Sequence, residues 1–385
     1  MSINIKKFFS YCCIALITFM YGFYFTNLNF EGSVHDALLA LAILSAFISI
    51  IIDKYYTESF FKLAVVASLG LLVYISSRET LLVLMLLLAL MIKNVNYHSA
   101  FSLIFLIRFI MFIIVILCVM VGYLDVGKIT VSKGIYGTFN GYGLGYNHPN
   151  NFAQEIFYLS TLYLCIKNEN IKSIELFFLL IVDCITYMIT GSKTVCILFL
   201  LLILLLYLYK TYNNSNIYKL YSKFSLYSSI VLPTMSIIFP ILFIHSTGKI
   251  RNFLYLLNGK LNQRLSNSTM LFYSFPVTLF GKIIDLDYLK RRYGYNVVDN
   301  GYTFLLFNFG IVGYILIIYL YYSTMKILIQ KKQIVYFSVV LMMLCLAIME
   351  NVLRAPFMNF CMIFWWESLS ESLSKFKKYG GKNDR

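Results

Sequence analysis

The chain has 385 residues, of which 60% are hydrophobic and 13% are charged, and its mean hydropathy is +0.77. Soluble domains carry about 25% charged residues, so the composition excludes an ordinary soluble protein. The net charge of +15 would suit a nucleic-acid partner, but lysines in the cytoplasmic loops of a membrane protein explain it better. The eight cysteines lie in or beside apolar runs without metal-binding spacing, so we predict neither a metal nor another cofactor.

Apolar runs long enough to cross a bilayer recur along the whole sequence. They predict an all-α, polytopic integral membrane protein, a single domain over residues 1–385 with about twelve transmembrane helices. The fourth span is short and also fits a re-entrant helix. The predicted spans are roughly 8–25, 34–52, 61–77, 79–93, 99–122, 150–166, 172–190, 193–210, 223–244, 301–322, 334–351 and 355–372.

The charge pattern orients these spans. With the N-terminus in the cytoplasm, every short connection on the cytoplasmic side carries a lysine, and the short outer connection 26–33 carries none. The C-terminal tail then also lies in the cytoplasm, with Lys375, Lys377, Lys378 and Lys382. Two longer segments fall on the outer side, a first loop at 123–149 and a large loop at 245–300.

Arginines collect on the predicted outer side. Apart from the terminal Arg385, the cytoplasmic cations are lysines. Orientation does not favour arginine over lysine, whereas binding phosphate oxygens in a bidentate manner does. The pattern therefore predicts a site for a phosphate-bearing anion, with contact to anionic lipid headgroups as the alternative. The outer arginines are Arg78, Arg251, Arg264, Arg291, Arg292 and Arg354.

Two charged side chains fall inside predicted spans. Arg108 and Asp183 lie at depths that differ by only about 3 Å at the rise of an α-helix. Charges inside a bilayer are rare and usually paired. We therefore expect a structural Arg108–Asp183 ion pair.

Four short motifs follow one another on the predicted outer face. They are NHPNNFAQ (147–154), TGSKTVCILF (190–199), LNQRLS (261–266) and DNGYTFLLFNFGIVGYI (299–315). In this order they resemble elements of the bacterial polysaccharide repeat-unit polymerases (Wzy-type O-antigen and capsule polymerases) and, more distantly, of the O-antigen ligases. The resemblance covers roughly residues 140–320. It departs from the family at Lys193, where arginine is commoner. Asp299 stands where ligases tend to have histidine, and the lack of that histidine favours the polymerases.

The resemblance implies a metal-independent glycosyltransferase of GT-C-like architecture in the bacterial cytoplasmic (inner) membrane. Its substrates would be undecaprenyl-pyrophosphate-linked oligosaccharide repeat units, which it would join into O-antigen, capsular polysaccharide or exopolysaccharide. Flippase and chain-length regulator proteins would be its partners. An O-antigen ligase-type glycosyltransferase, a lipid-linked oligosaccharide flippase and a non-enzymatic assembly partner remain alternatives, although a flippase should show internal repeats, which the sequence lacks.

The implied reaction needs cations for the leaving pyrophosphate and a base for the acceptor hydroxyl. We expect Arg264 to supply the first and Asp299 the second, with His148 as the next choice for the base. Helix capping is an equal alternative for Asp299, and packing within the loop is the alternative for His148. The candidate substrate-binding residues are Arg291, Arg292, Arg354, Arg78, Lys193, Asn150, Asn151 and Asn300.

Overall fold

The computed structural model describes residues 5–28, 32–52, 57–132, 138–212, 215–294, 297–354, 356, 358–366 and 368–369. The C-terminal tail with its four lysines lies outside the described residues. The chain divides into two compact units. The first unit comprises Met1–Lys54, Leu90–Lys219 and Gln333–Met342, and the second comprises Tyr55–Ala89, Leu220–Lys332 and Met343–Arg385.

The described residues are mostly α-helical. Short 3-10 helices cover Ile92–Asn94, Asn168–Asn170, Val352–Arg354 and Phe360–Phe364. The α-helices are α1 Ile5–Tyr21, α2 Ser33–Ile52, α3 Thr57–Ser77, α4 Leu81–Met91, α5 Tyr97–Met120, α6 Pro149–Lys167, α7 Ser173–Thr190, α8 Lys193–Tyr212, α9 Ser215–His245, α10 Gly248–Lys260, α11 Arg264–Ser274, α12 Leu286–Tyr293, α13 Gly301–Asn308, α14 Gly310–Gln330 and α15 Ile334–Leu346.

By length and composition, seven helices in the described part of the chain can cross a membrane: α1, α2, α5, α7, α8, α9 and α14. Three shorter apolar helices span Ala64–Ser77, Leu81–Asn94 and Ile334–Leu346. Large apolar side chains such as Phe109 and Phe178 are exposed along the long helices. Exposed apolar surface of this extent suits lipid rather than water. The prediction of an all-α membrane protein is therefore confirmed, while the count of twelve spans stays a prediction.

The two predicted outer loops contain regular structure. Segment 123–149 holds a hairpin in which β1 (Lys128–Ser132) pairs antiparallel with β2 (Thr138–Tyr142), with Thr130 opposite Asn140. Segment 245–300 holds the helices α10, α11 and α12. The large segment is therefore a helical layer in which Leu254, Leu271 and Leu289 are buried, whereas most other side chains of α10 and α12 are exposed.

The predicted span 301–322 is broken into α13 and α14. The backbone turns at Phe309 and Gly310, and Gly310 has a φ of +73°, which glycine adopts without the steric cost that a Cβ imposes. A break in an apolar helix exposes backbone groups that must find partners. Here a segment running from Thr278 to Lys282 supplies them.

Three backbone hydrogen bonds join this segment to the break. The N–H groups of Ile311 and Val312 donate to the carbonyls of Thr278 and Leu279, each at 3.0 Å. The N–H of Lys282 donates to the Phe307 carbonyl at 3.0 Å. The segment 278–282 therefore stabilises both sides of the helix break and ties the layer of α10–α12 to the apolar helices of its unit.

The expected Arg108–Asp183 ion pair is wrong. Arg108 of α5 instead binds Glu155 of α6, with Nε 3.1 Å from Oε1 and Nη2 on Oε2, and both side chains are only 4% exposed. The guanidinium also lies over the Tyr158 ring at 5.5 Å, and Asp183 of α7 lies beside Cys196 of α8. A similar predicted depth did not make Arg108 and Asp183 neighbours, because pairing also needs helix faces that point at each other.

Candidate functional site

The candidate site in the second unit centres on the Arg264 guanidinium. Its Nη1 binds Asp299 Oδ2, and its Nη2 donates to Glu350 Oε1 at 3.1 Å. The side chains of Arg264, Asp299 and Glu350 are 17%, 9% and 15% exposed. These three residues, called the ion-pair cluster below, bring together the motifs LNQRLS and DNGYT, which the sequence places in one predicted loop.

The backbone before Arg264 is specially shaped. Asn262 and Gln263 both have positive φ, at +49° and +63°, a conformation that costs non-glycine residues energy and is often found at functional sites. Asn258 at the end of α10 accepts a hydrogen bond from the Ser266 N–H at 2.9 Å. The α10–α11 turn therefore places Arg264 at the first position of α11.

Asp299 and Asn300 precede α13 and have different roles. The Asn300 Oδ1 accepts hydrogen bonds from the N–H groups of Tyr302 and Thr303 at 3.0 and 3.1 Å, so Asn300 is the helix N-cap. Asp299 is therefore not the cap that the sequence offered as its alternative role. Its Oδ2 also lies 3.5 Å from the Asn267 amide nitrogen. The Asp299 carboxylate is left to bind α11.

Glu350 reaches the cluster from the end of α15. The Gly301 N–H donates to the Ala347 carbonyl at 2.8 Å, which holds the start of α13 beside this helix end. Glu350 and Arg354 lie four residues apart, and the Glu350 carboxylate binds Arg264 across the fold. Arg354 lies over the Phe304 ring at 5.4 Å.

The ion-pair cluster combines one cation with two anions. A half-buried excess of negative charge is costly unless it is compensated, and Arg354 is the next cation along the chain from Glu350. Carboxylates are suited to accept hydrogen bonds or a proton from hydroxyl groups. A phosphate oxygen, by contrast, would compete with the two carboxylates for the N–H groups of Arg264. The arrangement can therefore orient a hydroxyl at Asp299 and offer a guanidinium beside it.

The other predicted arginines of this unit are more exposed. Arg78 ends α3 with a φ of +60°. Arg291 lies 4.0 Å from the Asp285 carboxylate, which caps α12. Arg292 lies over the Tyr288 ring and donates to its hydroxyl at 2.5 Å, a hydrogen bond that raises the pKa of Arg292. In the described part of the chain, Arg291 and Arg292 contact α12 and its cap rather than the ion-pair cluster.

The remaining predicted residues belong to the first unit. His148 is the N-cap of α6, because its Nδ1 accepts the Asn150 N–H at 3.0 Å. This bond places the proton of a neutral imidazole on Nε2. His148 is exposed and Asn150 and Asn151 are half-buried. These three residues stand together at the start of α6, as the motif NHPNNF implies.

The turn between α7 and α8 lies beside the same helix start. A Cβ at Gly141 of β2 would meet the Thr190 carbonyl at 2.7 Å and Pro149 at 3.0 Å, so these groups are in close contact. Lys193 is exposed at the first position of α8. The motifs NHPNNFAQ and TGSKTVCILF are therefore neighbours in the first unit.

Sequence reasoning missed three polar residues that the structure places in ion-pair networks. Glu350 and Asn267 bind the members of the ion-pair cluster, and Glu155 binds Arg108. Glu155 was detectable, because a carboxylate inside a predicted span is unusual. The contacts of Glu350 and Asn267 in the cluster could not be read from local sequence, since the partners are 86 and 32 residues away.

Together the apolar helices, the exposed apolar surface and the half-buried ion pairs define an all-α membrane protein. No group of three or more His, Cys, Asp or Glu side chains in the described ranges could hold a metal ion. No family model, curated protein or solved structure matches the chain. The resemblance to the polymerases therefore depends on the four motifs themselves.

Proposed function

We propose that the chain polymerises undecaprenyl-pyrophosphate-linked oligosaccharide repeat units on the outer face of the bacterial cytoplasmic membrane. In this proposal it crosses the membrane about twelve times, with both termini in the cytoplasm. The ion-pair cluster carries the proposal, because it joins Arg264 and Asp299, a cation and a carboxylate from two motifs of the resemblance. The neighbouring motifs of the first unit add support.

The proposed reaction is a glycosyl transfer. A hydroxyl oxygen of the acceptor repeat unit forms a bond to the anomeric carbon of the donor glycan. The bond from that carbon to the pyrophosphate oxygen breaks, and its electron pair leaves with the pyrophosphate. The hydroxyl proton passes to the Asp299 carboxylate, which Arg264 and Asn267 hold in a fixed position.

Arg264 has the complementary role in the proposal. The leaving pyrophosphate gains negative charge, which a preorganised guanidinium stabilises. Its Nη2 donates to Glu350 in this structure, so a phosphate oxygen would exchange with that carboxylate. Arg354, four residues after Glu350, offers a second cation when the exchange occurs. Glu350 is then a positioning residue that holds Arg264 ready before the substrate arrives.

Gene replacement in the host tests the proposal. The gene is deleted and restored as wild type, Arg264→Ala, Asp299→Ala or Arg251→Ala, and the surface polysaccharide is separated on a gel. Arg251→Ala is the matched control, because Arg251 lies in the same segment but bonds to Tyr255 on its own helix. The abundance of each variant in the membrane is measured in parallel.

The length pattern of the polysaccharide distinguishes the alternatives. We expect the deletion strain to contain single repeat units, and wild type and Arg251→Ala to restore the ladder, whereas the two cluster variants should not. Full-length chains that lack their final anchor would indicate a ligase instead. Lipid-linked units that accumulate in the cytoplasmic leaflet would indicate a flippase. A ladder restored by Arg264→Ala would show that the ion-pair cluster is not the active site.

A further inference from the structure

An apolar groove runs along three helices of the first unit. Its cavity volume is about 330 Å³, and it is lined by α5, α6 and α7. On α5 the lining residues are Phe105, Phe109 and Phe112. Residues three and four apart share one helix face, so the three rings form a continuous wall along about two turns of helix, or about 10 Å.

Residues of α6 and α7 form the floor and the other edge of the groove. Leu159 of α6 and Leu179 of α7 are buried and form its floor, while Phe178 and Val182 of α7 are exposed at its edge. Both α5 and α7 are long and apolar enough to cross a membrane. The groove is therefore closed towards the protein and open towards the surrounding hydrocarbon.

One end of the groove is polar. The Tyr163 hydroxyl donates to Glu175 Oε1 at 2.5 Å, and Lys167 Nζ lies 3.0 Å from the same oxygen. Glu175 also accepts the Lys172 N–H at 2.6 Å, which caps α7. The Lys167 side chain remains 41% exposed, so its ammonium can bind a group at the mouth of the groove.

The charges around this end favour an anion. The end of α6, the connection and the first turn of α7 together carry Lys167, Glu169, Lys172 and Glu175, whose charges cancel. Lys210 of α8 adds a positive charge, because its ammonium donates to the Ile171 carbonyl at 2.5 Å. The groove therefore joins a hydrocarbon-lined channel to an end with one excess positive charge.

We infer that this groove binds one acyl chain of a bilayer glycerophospholipid, with the lipid phosphate beside the Lys167 ammonium. The phenylalanine and leucine walls accept the chain, and Lys167 complements the phosphate. A helix from another protein is about 10–12 Å across with its side chains, which is too wide for a groove of this volume. The inference is independent of the proposed polymerase activity, since it uses none of the residues of that site.

Native mass spectrometry of the full chain purified in mild detergent tests the inference. Val182→Trp fills the groove from its edge. Ile181→Trp is the matched control, because Ile181 neighbours Val182, is similarly exposed (39% against 36%) and does not line the groove. We expect wild type and Ile181→Trp to retain one phospholipid, and Val182→Trp to retain it at least about tenfold less.

Two further comparisons define the ligand. Lys167→Gln should weaken retention of added phosphatidylglycerol several-fold but leave retention of diacylglycerol, which lacks the phosphate, unchanged. If Val182→Trp does not fold by circular dichroism and gel filtration, Phe178→Ala removes an exposed wall ring instead and should lower retention. Equal retention in the groove and control variants, equal retention of the two lipids by wild type, or a polyprenyl phosphate in place of the diacyl lipid would each overturn the inference.

Discussion

Arg108 and Glu155 bind each other through two parallel contacts that join α5 to α6 inside the first unit, and both side chains are almost completely buried. A buried pair of this geometry is weak evidence for stability as such, because removing two charges from water is costly. Removing only one of the two residues is destabilising, since it leaves the other charge without a partner in an apolar environment.

Removal of Arg108 alone should therefore destabilise the protein strongly. We expect Arg108→Ala to cost about 3–5 kcal/mol of unfolding free energy, and the double variant Arg108→Met with Glu155→Met to cost clearly less, because no unpaired charge remains. Thermal unfolding in detergent followed by circular dichroism measures both. A double variant no more stable than Arg108→Ala would show that the two charges do not depend on each other.

The ion-pair cluster allows a structural role for Arg264 to be separated from a functional one. Arg264→Ala leaves Asp299 and Glu350 without their shared cation, so both stability and function should fall. Adding Glu350→Gln removes one of the two negative charges. We expect this double variant to regain membrane abundance but to make no polysaccharide ladder. Recovery of the ladder would mean that Arg264 only neutralises the carboxylates.

The helix break between α13 and α14 should depend on Gly281. It has a φ of +85°, and a Cβ there would lie 2.0 Å from the Asn308 carbonyl oxygen. The left-handed backbone alone lowers the free energy of unfolding by about 1–2 kcal/mol for a residue with a Cβ. The clash of that Cβ with the Asn308 carbonyl oxygen lowers it further. Gly281→Ala should lower the thermal unfolding midpoint, measured in detergent.

A second glycine provides the control for this test. Gly259 of α10 has no positive φ and open space around its Cβ position, so Gly259→Ala should leave the midpoint unchanged or raise it slightly. Equal midpoints for the two variants would contradict the close packing of segment 278–282 against the break.

Helix positions were predictable because the apolar runs that cross a membrane are long. The predicted span 99–122 corresponds to α5 at Tyr97–Met120, and 172–190 corresponds to α7 at Ser173–Thr190. The α13–α14 break was not predictable, since the run around Gly310 is apolar throughout and its backbone partners come from residues 278–282. The length and composition of an apolar run do not reveal hydrogen-bond partners that are distant in sequence.

The candidate site was predictable in its residues but not in its contacts. Motif order identified Arg264 and Asp299 as candidates, and the structure joins them directly. The second carboxylate, Glu350, could not be assigned from sequence, because a neighbouring Arg354 at helical spacing gave it a plausible local partner. Opposite charges four residues apart stabilise a helix only weakly. That spacing therefore does not predict a partner that the fold brings close.

Mutation of His148 can distinguish a helix-capping role from a role as the catalytic base. Its Nδ1 accepts the Asn150 N–H at the start of α6, a role that asparagine fills well and leucine does not. We expect His148→Asn to keep full-length polysaccharide and His148→Leu to lose about 1 kcal/mol of stability, as measured by thermal unfolding beside the gel assay. If His148 instead removes the proton from the acceptor hydroxyl, His148→Asn should abolish the ladder while the protein remains as stable as wild type, because asparagine preserves the cap but cannot accept a proton.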